Sequence, residues 1–152
     1  MVTSSLVIAS LTVKDMTANE ARCEMTTRIK IREAGRVDVE YGRHVIRTAQ
    51  DGAHPAPFDL FLASIGACSG LYVARFCESR GIPTEGIVME QRKTVDPETR
   101  LVERIEIDVR LPEDFPDRYR DALLRAASLC TVKKHLEHPP EIRVTASTLE
   151  RV

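Results

Sequence analysis

Apolar residues recur at period two in the first third of the chain. Ile29 and Ile31 alternate with charged neighbours within 24–33, and Val37, Val39 and Tyr41 alternate after a turn at Ala34-Gly35. Gly42 followed by His44–Arg47 predicts a third strand, and the three together read as a meander with one wet face. Residues 48–57 are loop by composition. Pro57 then opens a helix predicted to run to Arg80, where Gly81-Ile82-Pro83 ends it. From Leu60 to Ala74 this helix carries no charge. The run is shorter than the roughly 18–20 residues a bilayer needs. It therefore predicts a core helix packed on most sides, not a membrane span.

Alternation returns in the second half. Ile105, Ile107, Val109 and Leu111 lie on one face of 101–111, with Arg104, Glu106, Asp108 and Arg110 on the other. A preceding strand over about 86–95 joins it through Asp96-Pro97-Glu98-Thr99, a turn between antiparallel neighbours. Pro116 opens a second helix. Tyr119, Ala122, Leu123, Ala126, Ala127 and Cys130 fall at helical spacing and predict a complete buried stripe that includes Cys130. Pro139-Pro140 stops that segment, and Ile142, Val144 and Ala146 alternate as a final strand. The pattern is α+β.

Length and charge narrow the function. A chain of 152 residues is one domain by the usual expectation and can bury a core without staples. Lys and Arg number 22 against 23 Asp and Glu, so neither sign is in large excess, which argues against nucleic acid or an anionic membrane as main partner. Met1 to Ser10 carry no basic leader, and their apolar run is too short for a signal peptide. The expectation is a cytoplasmic protein whose four cysteines, at 23, 68, 77 and 130, rest as thiols. No Cys-x-x-Cys pair occurs, so no structural zinc is expected. His135 and His138 have metal-ligand spacing, but Lys133, Lys134, Glu137 and Pro139 around them favour a wet helix end. His54 reads as an exposed loop residue. No metal or cofactor is expected.

Cys68 and Cys77 share the long helix nine residues apart, roughly 900° of rotation, and so face opposite ways. Cys68 and Cys130 face inward from different helices. Packed helices lie about 8–10 Å apart, close enough for disulfide geometry if the two cysteines meet at the crossing. Pattern alone favours the plainer reading, four small core residues.

The surroundings of Cys68 shift that balance. The stretch Pro55-Ala-Pro57-Phe-Asp-Leu-Phe-Leu-Ala-Ser-Ile-Gly-Ala-Cys68-Ser-Gly resembles the active-cysteine helix of the OsmC-like family, which includes osmotically inducible protein C and the organic hydroperoxide resistance proteins. Ala126-Ala-Ser-Leu-Cys130-Thr-Val132 is similar to the family's second-cysteine segment. The order of elements agrees over about 24–148, leaving 1–20 as an N-terminal extension of a single domain spanning 1–152. The resemblance implies an OsmC-like fold, antiparallel sheets packed around a long central helix, in an intertwined homodimer. It implies that Cys68 attacks an organic hydroperoxide and becomes a sulfenic acid. Cys130 then condenses with it to a disulfide, and a lipoyl-type dithiol restores both thiols.

The chain also departs from the family. Active peroxidases carry a glutamate ten residues before the first cysteine, where this chain has Phe58; Asp59 lies one residue later. The chain looks closer to branches with an aspartate in place of the glutamate. The family's arginine comes from the loop between the first two strands, at the dimer interface. Arg36 is the first candidate for it and Arg32 the second, each equally readable as a solvated strand-face residue. Thr131 stands where the family usually has proline. Two readings follow: a thiol peroxidase, or a non-catalytic dimer of the same fold that binds an apolar or electrophilic small molecule.

Overall fold

Three strands form where the alternation predicts them: β1 (Arg28–Ile31), β2 (Val37–Tyr41) and β3 (His44–Thr48), paired antiparallel in that order. They belong to a computed structural model that describes residues 26–148. Cys23 and the expected extension 1–20 lie outside the described residues. Gly42, at φ +53, supplies the positive dihedral that the two-residue turn between β2 and β3 requires.

Ile29 stands opposite Val39, and Val39 opposite Ile46. Directly opposed residues share a face, so Ile29, Ile31, Val37, Val39 and Ile46 gather on one side of the sheet. The other side is charged. Lys30 pairs with Glu40, and Arg32, just past β1, places its Nε 2.9 Å from Asp38. The apolar side is also open, with Ile29 65% and Ile31 86% exposed. A boundary between Thr48 and Ala49 separates this sheet from a second compact unit.

That unit is organised by α1 (Pro57–Glu78), 22 residues long with Pro57 at its start, where a missing N–H is not needed. The helix ends two residues before Arg80. Gly81, at φ +63, lets its own N–H reach the Glu78 carbonyl and the Ile82 N–H reach the Cys77 carbonyl, a Schellman closure. Leu62, Ile65, Ser69, Val73 and Phe76 are buried at helical spacing. The expected packing on most sides is not found: Leu71, for example, is 59% exposed, while α2, α3 and β4 are the elements of this unit laid most closely against α1. By length and composition α1 could cross a membrane. Its buried stripe is nevertheless that of a core helix, with Val73, Phe76 and Cys77 packed against Phe115 and Leu123.

β4 (Val88–Val95) and β5 (Val102–Arg110) form the second antiparallel sheet, with Met89 opposite Val109 and Gln91 opposite Ile107. Gly66 brings β4 close to α1. A Cβ there would stand 3.0 Å from the Gln91 side-chain oxygen, and Gln91 donates its amide N–H to the Leu62 carbonyl at 3.0 Å. In the β4–β5 turn, Asp96 accepts the Glu98 and Thr99 amides at 2.8 and 2.9 Å. The Thr99 amide foremost, then that of Glu98, holds its carboxyl below the ordinary value.

Two expectations for the C-terminal third are corrected. The second helix is not continuous to Cys130. A 3-10 turn (Asp117–Tyr119) leads into α2 (Arg120–Ser128), Leu129 and Cys130 leave helical dihedrals, and α3 (Thr131–Glu137) restarts the chain. The Ser128 hydroxyl donates to the Leu124 carbonyl at 2.9 Å, one source of competition for the backbone at the end of α2. The stripe is also only partly buried, with Leu123 alone fully enclosed within α2. The expected final strand is absent among the described residues. Ile142 and Val144 alternate as read, yet have no paired neighbour and are largely exposed.

Cys77, fully buried in the core cluster, yields a stability prediction. Burial pushes its thiol above the ordinary value, against the pull of the Arg80 cation. A raised folded value means that the unfolded chain ionises first. The contribution is complete below the ordinary thiol value, about 8.5, and is lost as pH rises from there through the raised one. Cys77→Ala, though less stable at pH 7, is expected to lose less on going from pH 7 to pH 10 than the wild type does, as read by denaturant midpoints at both pH values.

Candidate active site

Cys68 sits on α1, half-buried, one residue before the buried Ser69. Cys130 comes from the α2–α3 junction and is 1% exposed. The break after α2 swings Cys130 against α1, where its Sγ donates to the Ile65 carbonyl at 3.8 Å. The Cys68 thiol and the Ser69 hydroxyl lie within hydrogen-bonding reach of the same sulfur. Burial alone would push the Cys130 thiol up. Hydrogen bonding from Cys68, the Lys133 amide, Ser69 and the Val132 amide outweighs it and brings the value below the ordinary one. The two amides belong to the first turn of α3, a position that favours the thiolate.

A cavity of about 380 Å³ lies next to the pair, reaching Ser69 beside Cys68, although neither cysteine lines it. Ile65 and Ser69 line it from α1; Ile105, Ile107 and Val109 line it from β5; Leu124, Lys133 and Leu136 close the remaining sides. A second recess of about 430 Å³, bordered by Phe58, Phe61 and Leu101, shares Ile105 and Leu136 with the first. Together they offer an apolar trough along α1 that reaches the residues flanking Cys68. On the Cys68 face, one turn further along, Tyr72 places its hydroxyl 3.0 Å from the Thr131 Oγ1.

The structure brings Cys68 and Cys130 together but not all four site residues read from the sequence. Asp59 is exposed in the first turn of α1, nine residues before Cys68, hence roughly 13 Å along the axis and on the opposite face. Phe58 beside it stacks on Phe61, ring centroids 5.4 Å apart. Arg36 belongs to the first unit, where its Nε donates to the Glu33 carbonyl at 3.5 Å. Arg32 is engaged with Asp38. His135 turns its Nδ1 onto the Thr131 carbonyl at 2.8 Å, and His54 is half-buried in its loop. Among the described residues no cluster of His, Cys, Asp and Glu has metal-ligand geometry. Ser69 and Tyr72 were missed by sequence reading. Their one signal was helical spacing, at one residue and one turn from Cys68.

Fold and site define a class: an α+β protein with two antiparallel sheets and a long helix whose cysteine meets a second cysteine at a helix junction. The profile of the OsmC-like protein family matches residues 49–145, and the chain belongs to that family. Solved structures agree on the fold. One, described as a candidate osmotic stress induced and detoxification response protein from Psychrobacter arcticus 273-4, superposes with a TM-score of 0.64 at 19% identity. The match covers 76% of this chain and 90% of that one. An OsmC like protein from Mycoplasma pneumoniae gives 0.58 at 11% identity, covering 78% and 91%. A hypothetical protein from Aquifex aeolicus VF5 gives 0.57 at 19%, covering 76% and 88%. A search of curated proteins returns no match.

Proposed function

We propose that this protein is a cytoplasmic thiol peroxidase of the oxidative stress response, a homodimer that reduces organic hydroperoxides and is recycled by a lipoyl-type dithiol. The observation that carries this reading is the half-exposed Cys68 in contact with the enclosed Cys130 beside an apolar cavity. Of the pair, Cys68 is the one open to a substrate. Its proton goes to solvent, and the Cys130 S–H, more acidic than an ordinary thiol, is the proton donor we assign to the departing alkoxide, which leaves Cys130 as the thiolate needed next. The Cys68 sulfur then attacks the terminal oxygen of the hydroperoxide, the O–O bond breaks, and the alcohol leaves with a proton. Cys130 attacks the resulting sulfenic acid, expels water and closes the disulfide. The cavity walls suit an apolar organic group better than hydrogen peroxide, which has none to bury.

Arg36 and Asp59 complete the reading. We assign Arg36 to stabilising the Cys68 thiolate across the dimer interface; Asp59, roughly 13 Å away on the opposite face of α1, does not reach the sulfur and is assigned to attracting that guanidinium from a distance in place of the family glutamate. The test is consumption of cumene hydroperoxide with several dithiols. Cys68→Ser is expected to lower the rate by about a thousandfold or more, and Arg36→Ala and Asp59→Asn to lower it less. A wild-type protein that leaves cumene hydroperoxide untouched with every dithiol would overturn the assignment. A binding protein with inert thiols would fit the same cavity. Rapid alkylation of Cys68 near pH 6 would exclude it.

A further inference from the structure

We propose that Tyr72 and Thr131 form a positioning latch that holds Cys130 against Cys68. The latch deepens the redox-pair reading above and rests on it only in needing Cys130 to approach Cys68, whatever the oxidant.

Cys130 lies on a two-residue break. Leu129 has φ −80 and ψ 13, Cys130 has φ −52 and ψ 126, and neither continues α2. Backbone bonds hold the break on either side, the Leu129 N–H to the Ala126 carbonyl at 3.0 Å and the Lys134 N–H to the Cys130 carbonyl at 3.1 Å, but neither bond crosses to α1. Burial and the contacts with Cys68 and Ser69 point the sulfur at α1, and a bond between the flanking residues adds to them. The Cys130 bond to the Ile65 carbonyl is long, 3.8 Å, and is lost when the thiol gives up its proton. The Tyr72 hydroxyl bond to Thr131 Oγ1, at 3.0 Å, does not depend on that proton. It joins the residue immediately after Cys130 to the residue one turn after Cys68. Residues four apart on a helix are surface neighbours. The latch therefore ties the two cysteines' own elements together within one residue of one sulfur and one turn of the other. Neither Tyr72 nor Thr131 touches the reacting oxygen in this arrangement, so both are positioning residues.

The consequence is kinetic. Once Cys68 carries a leaving group, the Cys130 sulfur must reach the Cys68 sulfur to form an S–S bond and displace that group. A held Cys130 does so faster than a swinging one. An aryl disulfide that releases a coloured thiolate (dithionitrobenzoate) isolates this step without any peroxide. Cys68 attacks the reagent, releasing one aryl thiolate and keeping the other half as a mixed disulfide. Cys130 then attacks the Cys68 sulfur, the mixed S–S bond breaks, a second aryl thiolate leaves, and the thiol proton goes to solvent. The experiment uses the full chain with Cys23→Ser and Cys77→Ala, so that only the pair reacts.

Tyr72→Phe and Thr131→Val are each expected to slow the second release by about three- to tenfold, the worth of one net hydrogen bond. The first release should be unchanged. Thr131→Ser, which keeps the hydroxyl, should restore the parent rate. The Tyr72→Phe, Thr131→Val double variant should be no slower than either single one, because both remove the same bond. Second-release rates equal to the parent in both single variants would overturn the latch, as would additive effects in the double variant. A loss of folding would show as altered circular dichroism and a changed first release, and Thr131→Val, the size of the native threonine but without its hydroxyl, against Thr131→Ser, smaller but with it, still decides the matter. If the protein fails to oxidise with hydroperoxide but shows the slowed second release, the peroxidase reading falls and the latch stands.

Discussion

Cys130→Ser is expected to convert a catalyst into a protein that destroys its own nucleophile. One equivalent of cumene hydroperoxide should carry Cys68 to the sulfenic acid much as in the wild type, because Cys68 is the reachable sulfur and Cys130 is enclosed. Without a second thiol in contact, that acid persists. A second hydroperoxide then donates another oxygen, leaving a sulfinic acid and an alcohol, a product that dithiols do not reduce. Peptide mapping after several equivalents should find Cys68 carrying two added oxygens in the variant, and a Cys68–Cys130 disulfide in the wild type. Turnover with a dithiol should fall by at least about tenfold within the first cycles. A wild-type bridge involving Cys23 or Cys77 would overturn the assignment of roles. Cys77 is an unsuitable partner on structural grounds, since it lies on the far side of α1 and is packed among Val73, Phe76, Phe115 and Leu123.

Why the pair was partly legible in the sequence, and its surroundings were not, follows from range. Periodicity reports local structure well: the alternation of Ile29 and Ile31, or of Ile105, Ile107 and Val109, is imposed by the pleat itself. Both sheets and the start of α1 were therefore readable, and Cys68 could be placed on its helix. The helical spacing that assigned Cys130 to one stripe with Leu123 was a real signal with a wrong continuation. The same face is reached by a chain that breaks at Leu129 and restarts at Thr131, and no local rule marks Leu-Cys as a stop. That break gives the sulfur its exposure to the α3 amides, so the electrostatics of Cys130 could not be read before the fold was known. Thr131 was noticed only as the absence of a proline, because its bond to Tyr72 spans 59 residues. The final strand failed for a related reason. Ile142 and Val144 have the period of a strand, but a strand is defined by a partner, and alternation says nothing about which chain supplies one.

The largest structural effect is expected at the apolar face of the first sheet. Ile29, Ile31, Val37, Val39 and Ile46 make one side of that sheet hydrophobic, while the charged side is already occupied by the Lys30–Glu40 and Arg32–Asp38 pairs. Two isoleucines exposed side by side on β1 are a surface that association buries favourably. α1 likewise keeps Leu71 and Phe58 open. In the dimer proposed above, this face is covered by the partner, and folding and association are coupled. The melting temperature of the wild type should then rise with protein concentration. Ile29→Asp combined with Ile31→Asp would place carboxylates in that contact, where an unpaired buried charge costs about 3–5 kcal/mol. Association should weaken by at least about a hundredfold. Sedimentation should show a monomer at low micromolar concentration, with peroxidase activity lost along with the arginine that the partner supplies. Arg28→Asp, on the charged face of the same strand, is the control and should remain dimeric. A double isoleucine variant that sediments as a dimer would show that the subunits meet elsewhere, and a wild type that is a stable folded monomer at the same concentration would remove the dimer altogether.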